Sequence, residues 1–340
     1  MITQINIKNF KSIVDLALPL GRFNVLIGAN GCGKTNVLEA ISFGVASISN
    51  KLDNEFLGLR GIRLADPKFM ISGFEENNEE IFIEFLSNQN TSRVVQKFDD
   101  RTKRWMQKDY YSIGTIDFDT SQNTKNFLSY CPEESALRTF REEIQILPLG
   151  RKGEGLFRYL KELGQTDKGI QILHEIKEKL YLLDWYDDLK IPENSFSNDC
   201  TVLICDRFLN ETSQYFDQRS TNEGFLYLLF YLTLFISDET PDFFAIDNIE
   251  TAFNPKMCTE LIRILTDLAR KHGKQVIVTT HNPAVLDGLN LANDDERLFV
   301  VRRNIDGHTR INRIEHKVER TMKLSEIWLN GFIGGLPDNF

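Results

Sequence analysis

The first fifty residues consist of short apolar runs separated by polar turns. Ile5 and Ile7 alternate with polar neighbours, and Asn9-Phe10-Lys11-Ser12 then turns the chain into a second run. The apolar run Phe23-Asn24-Val25-Leu26-Ile27 predicts a short strand, and a helical pattern begins at Asn36. The pattern therefore predicts two adjoining strands, a third strand, a loop and a helix.

The middle of the chain changes character twice. Residues 51–130 are polar and rich in strand patterns, of which Ile81 to Phe85 is the clearest. Helical spacing with many charges follows, from Glu133 to Glu143 and from Gly155 to Leu183. No heptad pattern lasts long enough for an extended coiled-coil arm. These segments predict a strand-rich region followed by a helical lobe.

Strands and helices alternate in the last third of the chain. This alternation predicts an α/β fold with a largely parallel sheet, whose two halves are separated by roughly 150 residues. The predicted elements are a strand from Thr201 to Cys205, a helix over 224–236, a strand from Phe243 to Asp247, a helix over 255–271, a strand from Val276 to Thr279 and a strand near Leu298 to Arg302.

Composition limits the class of protein. A chain of 340 residues with 41% hydrophobic and 26% charged residues has an ordinary globular balance. The longest apolar run, 225–236, is too short to cross a bilayer, and Ile2 to Asp15 alternates like a strand rather than a signal peptide. Five cysteines without a C-x-x-C pair indicate a reduced, cytoplasmic setting. The net charge of −9 disfavours a general nucleic-acid binder but leaves room for a local basic groove.

The run GANGCGKT, from Gly28 to Thr35, fits the phosphate-binding pattern G-x-x-x-x-G-K-[ST] at every defined position. It stands between the predicted strand and the predicted helix, which is the context that such a loop requires. Lys34 would reach the β- and γ-phosphates of ATP, and the Thr35 hydroxyl would ligate Mg²⁺. The alternative is a glycine-rich turn without a ligand. The residues predicted to bind ATP here are Gly28, Asn30, Gly31, Cys32, Gly33, Lys34, Thr35 and Asn36.

Two later strands end in residues suited to the same site. Asp247 follows four apolar residues at the end of a predicted parallel strand, where it would hold Mg²⁺ through water. The alternative for Asp247 is capping of the next helix. His281 follows another apolar strand and could contact the γ-phosphate, although a lone histidine is more often structural.

Small polar residues surround a glycine before the apolar helix, in the run Ser220-Thr221-Asn222-Glu223-Gly224. Helix starts of this composition bind anions. The alternative is a plain N-cap at one of the three polar residues. The anion-binding interpretation of this run is favoured by its combination with the glycine-rich loop and the two strand ends.

This order of motifs resembles the ABC-type ATPases of the RecF, SMC and OLD group. The resemblance covers about residues 1–45 and 200–305, through IKNFKSIVDLALPLGRFNVLIGANGCGKTNVLEAI, STNEGFLYLL, FAIDNIETAFNP and VIVTTHNPAVLDGL. It implies a P-loop NTPase core with the mixed sheet of an ABC ATPase and an inserted lobe of strands and helices. The expected domains are a split core at 1–50 and 200–318, a strand-rich part at 51–130, a helical lobe at 131–199 and a C-terminal tail at 319–340.

The resemblance implies that ATP and Mg²⁺ are held between two chains. Two such cores pair head to tail, so Asn222 and Gly224 would reach the γ-phosphate bound to the partner, in a homodimer or a higher homo-oligomer. Most relatives place a glutamate directly after the aspartate, whereas this chain has Asn248 there and its next acid is Glu250. An amide orients water but accepts no proton. Either hydrolysis is slow and the protein senses ATP, or Glu250 is the base; Glu250 as an ordinary surface residue is the plainer alternative.

Three functions are open at this point. The leading one, implied by the resemblance, is an ATPase that controls a separately encoded nuclease or Toprim-like effector in antiphage defence. The others are a DNA-binding repair module like RecF and a nearly inert ATP-bound scaffold. A transporter is disfavoured, and no nuclease chemistry is expected, because no D-x-D pair with a distant glutamate follows His281. The apolar side chains of the tail, Ile327, Trp328, Phe332 and Ile333, are expected to pack on the chain's own core; the alternative is that they dock a partner.

Overall fold

A computed structural model describes residues 1–63, 66–74, 79–113, 127–141, 144–191, 202–210, 215–319 and 321–336. Within it the chain divides into two compact units. The first unit comprises Met1–Ser129, Pro241–Glu250 and Asn254–Phe340, and the second comprises Tyr130–Thr240 and Thr251–Phe253.

The secondary structure follows the predicted order of strands and helices closely. The strands are β1 (Ile2–Phe10), β2 (Ile13–Pro19), β3 (Phe23–Ile27), β4 (Glu80–Ser87), β5 (Thr91–Asp99), β6 (Arg104–Ile113), β7 (Ser129–Tyr130), β8 (Tyr186–Lys190), β9 (Leu203–Asp206), β10 (Tyr215–Asp217), β11 (Phe243–Ile246), β12 (Gln275–Thr280), β13 (Glu296–Arg303) and β14 (Thr309–Ile314). The helices are α1 (Lys34–Ile48), α2 (Asn54–Leu59), α3 (Glu134–Leu137), α4 (Leu156–Leu163), α5 (Asp167–Leu180), α6 (Glu223–Ile236), α7 (Pro255–Lys271) and α8 (Leu324–Leu329), with 3₁₀ turns at Pro67–Phe69 and Pro283–Gly288.

An antiparallel sheet in the first unit supports α1. Its strand order is β2-β1-β4-β5-β6, and its inward residues, such as Ile83 and Phe85, are fully buried. The helix approaches this sheet closely at Gly44, where a Cβ atom would lie 2.7 Å from the Ile83 side chain. Nearly all of α1 is buried in consequence, which fixes the helix that follows the glycine-rich loop.

The second sheet of the first unit is mixed and carries the strands that lead to the predicted site. Its order is β14-β13-β3-β12-β11, with β7 at the edge, where the chain passes from the first unit to the second. The pairs β11–β12, β12–β3 and β3–β13 are parallel, and β14 is antiparallel to β13. All five residues of β3 are buried, as expected for a central parallel strand.

The C-terminal tail packs partly on the first unit. Ile327 and Trp328 of α8 are buried, whereas Phe332 is 70% exposed. A Cβ atom on Gly335 would lie 2.5 Å from the Val300 side chain and 3.7 Å from the Cα of Gly28, so the tail runs close to the start of the glycine-rich loop.

The second unit combines a three-stranded antiparallel sheet, β10-β9-β8, with helices α3 to α6. Every residue of α6 from Phe225 to Ile236 is buried, so the longest apolar run is a core helix. No helix in the described part of the chain is long and apolar enough to cross a membrane.

The helices of the second unit that follow Tyr130 are shorter than the periodic stretches that predict them. The stretch of helical spacing from Gly155 to Leu183 forms two helices, α4 and α5, because Thr166 caps the start of α5 by accepting a hydrogen bond from the Gly169 backbone over 3.0 Å. From Glu133 to Glu143, the described residues form only the short α3, and residues 142–143 lie outside the described part. The N-cap at Thr166 is a local break that periodicity alone does not register.

The cysteines in the described ranges behave as packing residues. Cys32, Cys205 and Cys258 are buried free thiols, and Cys131 is half-buried. Cys200 lies outside the described residues. The described residues contain no cluster of three or more His, Cys, Asp or Glu side chains that could hold a metal ion by themselves.

Candidate functional site

Three parallel strands of the mixed sheet bring their carboxyl ends to one edge. β3 ends at Ile27, which lies opposite Thr280 of β12, and β11 runs parallel on the other side of β12. The segments that follow these strands begin with Gly28, Asp247 and His281. Parallel pairing therefore brings residues that are up to 253 positions apart in the chain to one edge of the sheet. Ligands of such sheets bind at this edge.

The glycine-rich loop needs its glycines for space and for backbone conformation. A Cβ atom on Gly28 would lie 2.1 Å from the carbonyl oxygen of Val301. Gly33 adopts a φ of 110°, and a Cβ atom there would lie 2.2 Å from Oγ1 of Thr309. Gly33 is also the N-cap of α1, so the loop leads directly into a helix N-terminus whose free N–H groups favour an anion.

Lys34 is buried with its ammonium group folded back onto the loop. Nζ donates hydrogen bonds to the carbonyl oxygens of Gly28 at 2.6 Å and Ala29 at 3.1 Å, and it lies 3.4 Å from Nδ1 of His281. Burial lowers the pKa of Lys34, while the charges of Asp247 and Glu250 oppose that shift. An ammonium held by neutral carbonyls can exchange them for the stronger charged partner that a phosphate provides.

Thr35 and Asp247 form a pair of oxygen donors beside the loop. Oγ1 of Thr35 lies 3.4 Å from Oδ2 of Asp247. The other oxygen of Asp247 accepts a hydrogen bond from Oγ1 of Thr279 at 2.5 Å, which fixes the carboxylate. A hydroxyl and a carboxylate are oxygen ligands of the kind that Mg²⁺ takes.

The residues after Asp247 turn sharply back toward β12. Asn248 has a φ of 57°, a left-handed conformation that asparagine tolerates well, and its backbone N–H donates to Oγ1 of Thr279 at 2.9 Å. Two positions later, Oε1 of Glu250 accepts a hydrogen bond from the backbone N–H of His281 at 2.8 Å. The turn therefore places Glu250 in the same site as Lys34 and His281.

The surroundings of His281 favour its neutral form. Its partial burial, and then the ammonium of Lys34, lower its pKa below the ordinary value, against the weaker opposing effects of Glu250 and Asp247. A neutral imidazole has one acceptor nitrogen and one N–H donor. It can therefore accept from Lys34 through Nδ1 and donate to a phosphate oxygen through Nε2.

Several contacts of the loop follow from no motif in the sequence. Thr309 Oγ1 donates to the carbonyl of Cys32 at 3.0 Å, and Nε of Arg303 donates to the carbonyl of Gly31 at 3.0 Å. Both partners follow the loop by about 270 residues and carry no motif of their own. Thr279 was within reach of sequence reasoning, because it belongs to the Thr-Thr-His run at the end of β12.

Asn36 also belongs to a polar network beside the loop. Its Nδ2 donates to Oγ of Ser12 at 2.7 Å, and its Oδ1 accepts from Nη2 of Arg63 at 2.9 Å. Arg63 pairs in turn with the buried carboxylate of Glu39, which also pairs with Lys11. The network ties the turn between β1 and β2 to the first turns of α1.

The residues of this site fit ATP and Mg²⁺. The loop has glycines at 28 and 33, where a Cβ atom would clash, and the buried Lys34 ammonium has no carboxylate in hydrogen-bond contact among the described residues. Oε2 of Glu250 is buried and has no hydrogen-bond partner among those residues. The Lys34 ammonium is thus available to a triphosphate, and the oxygen atoms of Thr35 and Asp247 are available to its metal ion. Oε2 of Glu250 is available to accept a hydrogen bond from a water molecule.

Asn222 and Gly224 lie in the second unit. Asn222 is exposed and is the N-cap of α6, where its Oδ1 accepts from the backbone N–H of Phe225 at 2.8 Å. Gly224 is half-buried in the first turn of that helix. The plain capping role considered for this run is thus present, and it leaves the helix N-terminus available to an anion.

Comparison with known proteins identifies the class. A protein-family model described as "AAA domain, putative AbiEii toxin, Type IV TA system" matches residues 23–287, which is more than half of the chain. The chain belongs to this AAA family.

Two curated proteins match parts of this AAA-family chain. The OLD nuclease of Thermus scotoductus is 38% identical over 48 residues, which are 14% of this chain and 9% of that protein. The DNA replication and repair protein RecF of Clostridioides difficile is 28% identical over 193 residues, which are 55% of this chain and 48% of RecF. The chain thus spans less than half the length of either relative.

Solved structures of SMC heads share the fold of the AAA-family chain. A head bound to the C-winged helix domain of ScpA gives a TM-score of 0.64 at 14% identity, covering 94% of this chain and 99% of that one. The SMC head domain of Thermotoga maritima gives 0.55 at 15% identity, covering 93% and 99%. The predicted class, an ABC-type ATPase of the RecF, SMC and OLD group with a mixed α/β core, is confirmed. The class implies ATP binding, whereas the roles of individual residues stay predictions.

Proposed function

We propose that this ATPase is a switch in which two copies close around ATP and Mg²⁺ and thereby control a separately encoded effector. The observation that carries the proposal is the convergence of the glycine-rich loop, Asp247, Glu250 and His281 on one sheet edge. A site is suited to a ligand when its charged groups lie close together and keep hydrogen-bonding capacity that their protein neighbours do not use.

Each residue has a distinct role in the proposed cycle. Lys34 binds the β- and γ-phosphates, and Thr35 and Asp247 hold the metal ion. Bound ATP·Mg²⁺ supplies the phosphoryl group that water attacks. Glu250 accepts the proton of that water, Asn248 orients it, and His281 donates to the γ-phosphate. Because an asparagine follows Asp247, turnover is slow enough for the closed state to persist.

The second half of the proposed site comes from a partner copy. Asn222 and Gly224 stand at the exposed start of α6 and would contact the γ-phosphate bound to the other chain. ATP would then join two copies, and hydrolysis would release them.

The effector and its setting are inferred from the relatives. The matching family is described as a putative toxin of a toxin–antitoxin system, one matched relative is an OLD nuclease, and one SMC head of similar fold is bound to a domain of another chain. These descriptions support a cytoplasmic role in antiphage defence, with a nuclease or Toprim-like protein as the controlled partner. The match to RecF supports a second candidate, an ATP-dependent DNA-binding repair ATPase.

The mass of the purified chain in solution, with and without ATP and Mg²⁺, tests the switch, with released phosphate measured on the same sample. The proposal expects an ATP-dependent dimer, slow phosphate release, and the loss of both in Lys34→Ala. Lys103→Ala, which removes a 74% exposed lysine from a hairpin turn, is the matched control. An unchanged mass with ATP would overturn the dimeric switch, and binding of ATP by Lys34→Ala would overturn the site.

Plaque assays test the defence role. Cells that carry the chain with its neighbouring genes should resist phage, and Lys34→Ala should abolish the resistance. Salt-dependent binding of the ATP-bound dimer to duplex DNA, without any phage phenotype, would favour the RecF-like candidate instead.

A further inference from the structure

Arg138 binds the loop that leads into α6 by three of its backbone carbonyl groups. Nη1 donates to the carbonyl oxygens of Gln218 at 3.2 Å, Arg219 at 2.9 Å and Thr221 at 2.8 Å. The residues lie about 80 positions apart in the chain, and all belong to the second unit. One guanidinium thus gathers the carbonyl groups of a loop in which Arg219 and Ser220 are exposed.

The guanidinium is itself fixed in place. Nε and Nη2 of Arg138 both lie 2.8 Å from Oε1 of Glu134, one helical turn earlier. The side chain of Arg138 is only 25% exposed. Because the guanidinium is a rigid planar fork, pairing on one edge with Glu134 aims Nη1 at the loop.

Asp217 holds the same loop through its N–H groups. Oδ1 of Asp217 accepts from the backbone nitrogen atoms of Arg219 at 3.0 Å and Ser220 at 3.1 Å, and from the Ser220 hydroxyl at 3.1 Å. Carbonyl groups turn toward Arg138 and N–H groups turn toward Asp217. The backbone from 217 to 221 is therefore specified by two charged side chains before Asn222 caps α6.

This arrangement matters for an anion at the start of α6. A carbonyl oxygen that faces a phosphate repels it. A carbonyl group that points toward a guanidinium instead does not present its oxygen to the anion. Two carbonyl groups turned in this way, those of Gln218 and Arg219, directly precede the run Ser220 to Gly224, and the third, that of Thr221, lies within it. Without Arg138 these dipoles would be free to reorient.

We propose that Arg138 is a positioning residue for the γ-phosphate-binding segment Ser220–Gly224, and that it acts on the ATP bound to the partner chain. The inference rests on the proposed ATP-joined dimer. Arg138 then acts in the closing step and not in nucleotide binding by a single chain, because the backbone that it holds leads to the segment proposed to meet the partner's ATP.

The test compares Arg138→Ala and Arg138→Lys with a matched control, Arg158→Ala. Arg158 forms the same kind of pair with Glu162 one turn later on α4, with a side chain of similar exposure. Affinity for a fluorescent ATP analogue in dilute single chains should stay within about twofold for all three variants, because each variant keeps the glycine-rich loop and Lys34 unaltered. Dimer formation with Mg²⁺ and a non-hydrolysable ATP analogue should weaken at least about tenfold in Arg138→Ala, since charged hydrogen bonds are lost. Arg138→Lys should be intermediate, because an ammonium lacks the planar fork.

Mixing two inactive variants locates the defect. A dimer of Arg138→Ala with Lys34→Ala has one site built from an intact glycine-rich loop and an intact Ser220–Gly224 segment, so up to about half of the phosphate release should return. Normal dimerisation of Arg138→Ala, or no recovery on mixing, would overturn the role of Arg138 while leaving the switch intact. Failure of the unaltered chain to dimerise would overturn both. If circular dichroism shows that Arg138→Ala is unfolded, Arg138→Lys carries the same comparisons.

Discussion

The carboxylate of Glu250 accepts a hydrogen bond from the backbone N–H of His281 at 2.8 Å. Its second oxygen is buried and has no partner among the described residues. The charge of Glu250 acts on both Lys34 and His281, so the carboxylate lies inside the site. This placement supports Glu250 as the base over an ordinary surface residue.

Replacing Glu250 with glutamine should separate binding from hydrolysis. The amide oxygen of Glu250→Gln can still accept from His281, but it cannot take a proton from water. Phosphate release should fall by about 10²–10⁴-fold, the usual contribution of a general base, while ATP affinity changes little. Single-turnover phosphate assays and nucleotide titrations measure the two quantities.

Glu260→Gln serves as the control for that substitution. Glu260 lies on α7 and pairs with Arg263, so its loss should leave both quantities unchanged. Undiminished turnover in Glu250→Gln would remove Glu250 from the chemistry.

Asn248→Glu should accelerate hydrolysis at a small cost in stability. The substitution places a carboxylate directly after Asp247, but the residue has a φ of 57°, where glutamate is less tolerated than asparagine by about 1 kcal/mol. Glycine adopts this conformation freely, so Asn248→Gly should be as stable as the unaltered chain and should hydrolyse ATP no faster. Denaturant midpoints and phosphate release test the pair, and equal turnover in Asn248→Glu and the unaltered chain would show that Asn248 does not limit hydrolysis.

Acid should destabilise the empty site through His281. Its pKa in the folded state is lowered by burial and by Lys34, below an unfolded value of about 6.5. The resulting stabilisation is complete above about pH 6.5 and is lost as the pH falls through the lower folded-state pKa. The effect is small, because His281 is exposed to solvent over more than a third of its surface.

Urea midpoints of the unaltered chain and His281→Gln, measured between about pH 5 and pH 8, isolate this contribution. The unaltered chain should lose stability relative to the variant at the acid end. Saturating ATP and Mg²⁺ should weaken the difference, because phosphate charge favours the imidazolium form. Parallel pH profiles for the two proteins would contradict the expectation.

Alanine at Gly33 should disable the loop far more than alanine at Gly31. Both residues have positive φ, but a Cβ atom on Gly33 would meet Thr309 at 2.2 Å, whereas one on Gly31 would meet no described atom within 4 Å. Gly31→Ala should cost about 1–2 kcal/mol of unfolding free energy from its backbone alone, and Gly33→Ala should cost more and lose ATP binding. Equal losses in the two variants would mean that the contact with Thr309 is unimportant.

The geometry of the candidate site was predictable where local pattern and parallel pairing determine it. β3 has the bounds that its apolar run predicts, and α1 starts within two residues of the expected helix. Asp247 and His281 converge with the loop because strands of one parallel sheet end at one edge, which needs no knowledge of side-chain contacts.

Contacts between distant, unremarkable residues were not predictable. Arg138 reaches three carbonyl groups some 80 positions away, and Arg303 reaches Gly31 across most of the chain. Neither arginine stands in a motif, and each position is set by tertiary packing. The break between α4 and α5 at Thr166 was not predictable either, because the apolar spacing continues across it.

The place of β3 in the mixed sheet has a consequence for how the chain is made. Its neighbours are β12 and β13, which emerge from the ribosome about 250 residues after it. At roughly 5–20 residues per second, this delay is on the order of half a minute. The antiparallel sheet, complete by residue 113, can form meanwhile, whereas β3 keeps two open apolar edges. Yield in the cell should therefore depend on chaperone supply and translation speed as well as on the stability of the finished protein.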